Sequence, residues 1–124
     1  MNDTTVDELP LGPESALIAT RTMIPLEPVA PADVVSGAPE AGAQSITELG
    51  GTEIGIWEIT PGVVTDTEVE EVFVVLSGTA TVEFLDTGAV LALVPGSLAR
   101  LPEGARTRWT VTSTLRKVYL SRSE

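Results

Sequence analysis

From Ser45 onward the chain alternates short runs rich in Val, Ile, Thr, Phe and Trp with small clusters of turn residues. The runs are 45–49, 53–60, 71–76, 79–85, 90–94, 98–101, 107–112 and 115–121. Between them lie Gly50-Gly51, Pro61-Gly62, Gly78, Asp86-Thr87-Gly88, Pro95-Gly96 and Pro102-Glu103-Gly104. β-Branched and aromatic side chains suit a pleated, half-buried surface, whereas Gly, Pro and Asp supply the backbone angles of tight turns. Short strands with a turn signal about every 8–12 residues predict an all-β sandwich or barrel rather than βαβ units. No helical stripe competes with that pattern.

The upstream part of the chain is different. Residues 1–15 carry Pro10, Gly12 and Pro13 among acids and predict a flexible N-terminal lead-in. Residues 16–24 predict an edge strand. Residues 25–44 hold Pro25, Pro28, Pro31, Gly37, Pro39 and Gly42, which exclude a regular helix. That stretch is too long for a turn, and is expected to drape over the barrel as a strap or to reach a partner subunit. The division is therefore a lead-in at 1–15, an edge strand and strap at 16–44, and a barrel at 45–124. Within the barrel, residues 72–76 are hydrophobic at every position, so neither face of that strand is meant for water. One face fills the barrel; the other needs cover from a second sheet, the strap or another subunit. A homodimer is the economical expectation.

Composition removes more chemistry than it suggests. A chain of 124 residues suits one domain with its own core. Without cysteine there is no thiolate catalysis, disulfide or Cys-based zinc site, and without histidine no Ser-His-Asp or Cys-His arrangement. No G-x-x-x-x-G-K-[ST] or G-x-G-x-x-G stretch is present for nucleotide phosphates. A net charge of −11 repels nucleic acid and anionic membrane surfaces, so neither is expected as a partner. No apolar run approaches the roughly 20 residues that span a bilayer. The first residues are acidic and polar, unlike a signal peptide, and a cytoplasmic location is expected. The charge is uneven: residues 1–99 hold 16 acids and one base, whereas 100–124 hold six bases and two acids. The basic end either pairs with the acidic surface or offers arginines to an anionic ligand.

Several short motifs then fall into one order: Gly55-Ile-Trp57-Glu58, Pro61-Gly62, Glu71-x6-Gly78, Pro95-Gly96, Pro102-x-Gly104, Trp109-Thr-Val and Leu115-Arg-Lys-Val-Tyr119. Together, over a little more than half the chain, they resemble the cupin family, in the branch that includes ureidoglycine aminohydrolase and an ethanolamine-utilisation protein. The resemblance implies an antiparallel β-barrel of the jelly-roll kind in a single domain. In the general cupin pattern H-x-H-x3-E, the two histidine positions are here Thr65 and Thr67, and the glutamate is Glu71. The position of the second-motif histidine is Thr107. Imidazoles supply most of the affinity for a transition metal, so the resemblance implies that the usual site is lost, leaving no metal and no cofactor.

Asp66, Glu68, Glu70 and Glu71 crowd together and offer oxygen ligands for a hard cation. Strand alternation sends Glu70 and Glu71 to opposite faces, however. The acidic run is then a solvated rim with Glu71 its single inward carboxylate. Glu71 shares parity with Phe73 and Val75, so an apolar lining would raise its pKa and make it a general acid or base. The alternative is a structural glutamate bonded to a neighbouring hydroxyl or to Arg116. Tyr119 is the candidate catalytic companion. Trp57 and Trp109, the latter in parity with Thr107, offer rings for stacking on a ligand. Arg106 and Arg108 are expected to point outward. The expected ligand site is thus Trp57, Thr65, Thr67, Glu71, Phe73, Thr107 and Trp109. Three functions stay open: a metal-free cupin binding a small organic molecule, a metal-independent isomerase or lyase using Glu71, and an interaction protein with a filled barrel.

Overall fold

In the computed structural model, which describes residues 9–122, nine strands make one antiparallel sheet. They are β1 (Glu27–Pro28), β2 (Val34–Ser36), β3 (Glu40–Leu49), β4 (Thr52–Ile59), β5 (Gly62–Thr67), β6 (Glu71–Phe84), β7 (Val90–Leu93), β8 (Leu98–Leu101) and β9 (Arg106–Arg122). The long β9 organises the rest. One of its edges pairs with β6 along the whole length. The other pairs with β4 over residues 115–122 and with β5 over 106–111. The order β1-β3-β4-β9-β5-β2, with β7 and β8 attached through β6, curls the sheet into the all-β barrel expected from the strand pattern.

Two pairs of expected runs are single strands: 71–76 and 79–85 fuse in β6, and 107–112 and 115–121 fuse in β9. Gly78 is therefore not a turn. It lies where the β6–β9 register shifts, between Val75 and Ala80. Glu71, Phe73 and Val75 are buried before the shift and Ala80 and Val82 after it, so the irregularity exchanges odd for even positions and keeps both apolar sets inside. Gly78 permits this with a φ of 89°, and a Cβ there would lie 2.0 Å from the Thr114 carbonyl oxygen. Strand β5 was not among the expected runs, because Thr65-Asp66-Thr67 gives it no apolar face of its own. Ile59, Phe73, Val75, Val82, Leu93, Leu101, Val111 and Leu115 fill the core.

The upstream segment covers one outer face. No edge strand forms at 16–24. Instead Ile24, with Leu11, Leu17 and Leu26, packs on Ile46, Ile56 and Val118 outside β3, β4 and β9. Its backbone finds partners in a side chain rather than a ladder: the Arg116 guanidinium donates to the carbonyls of Ala19 and Thr22 at 2.9 and 2.6 Å. Leu11 N–H donates to the Ile46 carbonyl, so the end of the expected lead-in is tied down; its residues 1–8 lie outside the described ones. The strap beyond it contains β1, a 3₁₀ turn at Pro31–Asp33 and β2, and ends where β3 begins at Glu40. Val72, Leu98 and Leu120, on β6, β8 and β9, remain exposed. Among the described residues no helix is long and apolar enough to cross a membrane.

Candidate functional site

The inward positions of β9 run Thr107, Trp109, Val111, Leu115, Lys117, Tyr119 and Ser121, all buried. Period-two alternation along one long strand accounts for this whole row. Lys117 lies in the middle of it, facing an open cavity of about 610 Å³. Register places it opposite Trp57 on β4 and Val75 on β6. Its ammonium nitrogen lies 4.2, 4.7 and 5.0 Å from the ring centres of Phe73, Trp57 and Trp109. Such faces attract a cation through the ring quadrupole.

The same nitrogen is 2.5 Å from Glu71 Oε2, with the two side chains only 5% and 9% exposed. The approach lacks hydrogen-bond alignment, and Glu71 Oε2 is the one buried side-chain polar atom left without such a bond among the described residues. Burial pushes the Glu71 carboxyl above its ordinary value, and the Lys117 charge opposes that shift without cancelling it. The expected partner Arg116 belongs elsewhere, since it lies on the outer face and pairs with Glu58. Burying a lysine and a glutamate is expensive in solvation, and a pair with imperfect geometry does not recover the cost.

Glu71 is not the single inward carboxylate. Glu68 is also buried, and its Oε2 accepts from the Thr107 hydroxyl at 2.6 Å and the Trp109 indole N–H at 2.9 Å. Alternation failed here because β5 ends at Thr67, and residues 68–70 turn out of strand geometry before β6. Asp66 lines the cavity at its exposed side, and partial burial followed by the Glu68 charge pushes its pKa up to about 6. Glu70 lies at the outer rim of the cavity, paired with Arg100, and accepts from the Glu103 N–H at 3.1 Å. The hydrogen bond from Arg100 holds the Glu70 carboxyl below the ordinary range.

Of the expected ligand site, Trp57, Glu71 and Trp109 do line the cavity. Phe73 is fully buried beneath them. Thr107 is fully buried too, spent on Glu68 rather than turned to the cavity. Thr65 is not in the wall: its register partner is outward Arg108, while Asp66 pairs with Thr107 and Val64 with Trp109. The inward pair on β5 is therefore Val64 and Asp66, one residue upstream of the expected positions. Thr67 reaches the wall from an exposed position. Arg106 and Arg108 point outward as expected, toward Asp86 and Glu83. Tyr119 sits in the wall, and its hydroxyl donates to Glu53 at 2.8 Å. Burial first and this bond second push its pKa well up, so it is an anchored phenol. Gly55, opposite on β4, makes room for its ring: a Cβ there would lie 2.4 Å from the Tyr119 hydroxyl.

A metal does not fit these residues. Among those described, no three carboxylates converge to hold an ion, and the place beside Glu71 is taken by the Lys117 ammonium. Lys117 is what reasoning from sequence missed. Two signals were available: it is the single lysine in the chain, and it shares parity with Trp109 and Tyr119.

A family model described as EutQ-like cupin domain matches residues 46–119. Among solved structures, the chain is similar to a putative ethanolamine utilization protein from Salmonella typhimurium, at 16% identity over 66% of this chain and 68% of that one, TM-score 0.58. It is similar to the EutQ protein of Clostridium difficile at 18% identity over 76% and 79% of the two chains, TM-score 0.60. A protein of unknown function from Pseudomonas syringae gives 21% identity over 91% of this chain, TM-score 0.70, and this chain spans 51% of its length. Identities this low establish the fold alone. No curated protein matches the chain.

Proposed function

We propose, from the premise that this chain belongs to the EutQ-like cupin domain family, that it binds a small organic molecule in its barrel and uses no metal to do so. The observation that carries the reading is the open cavity of about 610 Å³ with a buried ion pair at its floor. Ligand sites are typically concavities of about 300–1,000 Å³, mainly apolar with a few convergent polar groups. Here Trp57, Val64 and Trp109 supply apolar wall, and Glu71 and Lys117 supply the polar focus. A barrel built only to be filled would have closed over that pair with apolar side chains, which is why the filled-barrel alternative has less support.

The chain's two tryptophans both line the cavity, so intrinsic fluorescence reports on it directly. Titration with small aldehydes, polyols, amines and carboxylates should give a saturable change with at least one class. Ala43→Phe, placed in the wall, should abolish it while the protein stays folded. No saturable change with any class, or a change indifferent to Ala43→Phe, would overturn the reading.

A second reading, a metal-independent isomerase or lyase, is favoured by the raised Glu71 carboxyl, which suits a group that takes up and returns a proton. Tyr119 has no part in that chemistry while its proton is committed to Glu53. The expected homodimer is retained as part of the proposal, because Val72, Leu98 and Leu120 form an exposed apolar stripe that the upstream segment does not reach. Light scattering after size exclusion should give twice the chain mass, and Leu98→Glu should give the chain mass. A monomeric wild type would remove the dimer.

A further inference from the structure

Every surface base of the described chain is an arginine, and the single lysine is inside the barrel. A solvated cation would serve equally well as either residue; an amine that must react would not, because guanidinium stays protonated and is a poor nucleophile. Resting on the binding function proposed above, we propose that Lys117 is a covalent anchor, whose amine condenses with the carbonyl group of a small neutral aldehyde or ketone in the cavity to form an imine.

The geometry supplies each requirement. Lys117 lines the cavity at its floor, so a bound carbonyl carbon has access to Nζ. Three aromatic faces hold the amine in place and exclude water from its sides. Glu71, 2.5 Å away and free of any aligned hydrogen bond, is placed to accept a proton from Nζ. Its upward-shifted carboxyl supports that role, since a buried acid more readily holds a proton between transfers.

The step balances without an outside reagent. Nζ gives one proton to Glu71, and its lone pair attacks the carbonyl carbon, forming the C–N bond while the carbonyl π pair moves to oxygen. Glu71 passes its proton to that oxygen, giving the carbinolamine hydroxyl. A second proton follows the same route, the oxygen leaves as water, and the nitrogen lone pair closes the C=N bond. The two protons lost by the ammonium leave in the water. The resulting iminium keeps the single positive charge and stays opposite the Glu71 carboxylate.

The wall selects against negative charge. Glu53, Asp66, Glu68, Glu70 and Glu103 line it besides Glu71, against Arg122 besides Lys117. An anionic carbonyl compound such as a 2-oxo acid meets an excess of negative charge, so the class is a neutral aldehyde or ketone.

The test uses propanal with cyanoborohydride, which converts an imine into a stable secondary amine. Peptide mapping should place one propyl group on Lys117, formed faster than any on the α-amino group, the only other aliphatic amine in the chain. Pyruvate should label Lys117 more slowly than propanal, and Lys117→Arg should lose the label. Glu71→Gln should slow labelling, and Glu71→Asp should restore part of it. Labelling at the α-amino group alone overturns the proposal, as does pyruvate labelling as fast as propanal. Tryptophan fluorescence separates the two failures. If propanal shifts it saturably and no adduct forms, the covalent step fails and binding stands; if neither occurs, both fail.

Discussion

Neighbouring residues of β9 carry the two best-buried cations, and each serves a different face of the sheet. Arg116 points outward beneath the upstream segment, where its guanidinium satisfies Glu58 and the carbonyls of Ala19 and Thr22 with well-formed hydrogen bonds. Lys117 points inward, is buried more deeply, and meets one carboxylate without hydrogen-bond alignment, at the floor of an open cavity. The first arrangement is what a fold needs when loose chain must be clasped to a sheet: several donors in a fixed fork, each answered. The second gives little to stability and leaves chemistry unanswered. An incompletely satisfied buried charge beside a cavity is what the proposed binding function would use.

The sharpest way to break the comparison is to remove one partner of each pair. Lys117→Met leaves Glu71 buried and uncompensated and should cost about 3–5 kcal/mol in urea unfolding at neutral pH. Adding Glu71→Leu should recover most of that loss, since apolar side chains of similar volume replace buried pairs well. If the double variant is as unstable as the single one, the pair is structural and the contrast with Arg116 disappears. Arg116→Ala should cost about 2–3 kcal/mol, the scale of a few charge-assisted hydrogen bonds. Its signature is local: hydrogen exchange should rise in residues 17–26 while the fluorescence of Trp57 and Trp109 is unchanged. A fluorescence change as large as the exchange change would mean that the two faces are coupled.

Smaller effects sharpen the electrostatics of the cavity. A carboxyl with its folded pKa above the unfolded value binds its proton more tightly when folded, so stability falls as pH rises between the two values. For Asp66 the window runs from the ordinary 3.8 to about 6. Asp66→Asn should flatten the slope of stability against pH there, and an unchanged slope would show that Asp66 is not held at the cavity. Asp86→Asn, which breaks an exposed pair with Arg106, should leave the urea unfolding midpoint essentially unchanged. It serves as the baseline for every other substitution.

The barrel was legible because its strands carry their own period-two pattern between turn residues, and the EutQ-like cupin match follows the same stretch. Strand β5 was not, since Thr65-Asp66-Thr67 is polar on both faces and draws its pairing from β9. That omission put Thr65 in the wall where Val64 and Asp66 stand, although Thr67 does reach the wall. It also hid Glu68, which keeps the parity of Val64 and Asp66 and is out of phase with Glu71 because residues 68–70 leave strand geometry. The edge strand expected at 16–24 failed for a related reason: apolar residues there pack on the outside of the sheet, and no pattern in the segment itself distinguishes that from pairing. Glu71 came from the motif spacing and Trp109 from parity, and both line the cavity with Trp57. Parity applied equally to the charged residue between Trp109 and Tyr119 would have found Lys117. A lone charge in an apolar row is ordinarily taken as solvated, and only the cavity and the aromatic faces reveal why this one is inside.

Because the chain has a single lysine, isotope labelling of lysine Cε gives one side-chain carbon signal by nuclear magnetic resonance. With Lys117 among the rings of Phe73, Trp57 and Trp109 at the cavity floor, that signal should be displaced from its free-lysine position in the folded protein. It should move further, and saturably, when a small carbonyl compound is added. A signal at the free-lysine position, unmoved by any ligand class, would contradict both the placement of Lys117 and the function drawn from it.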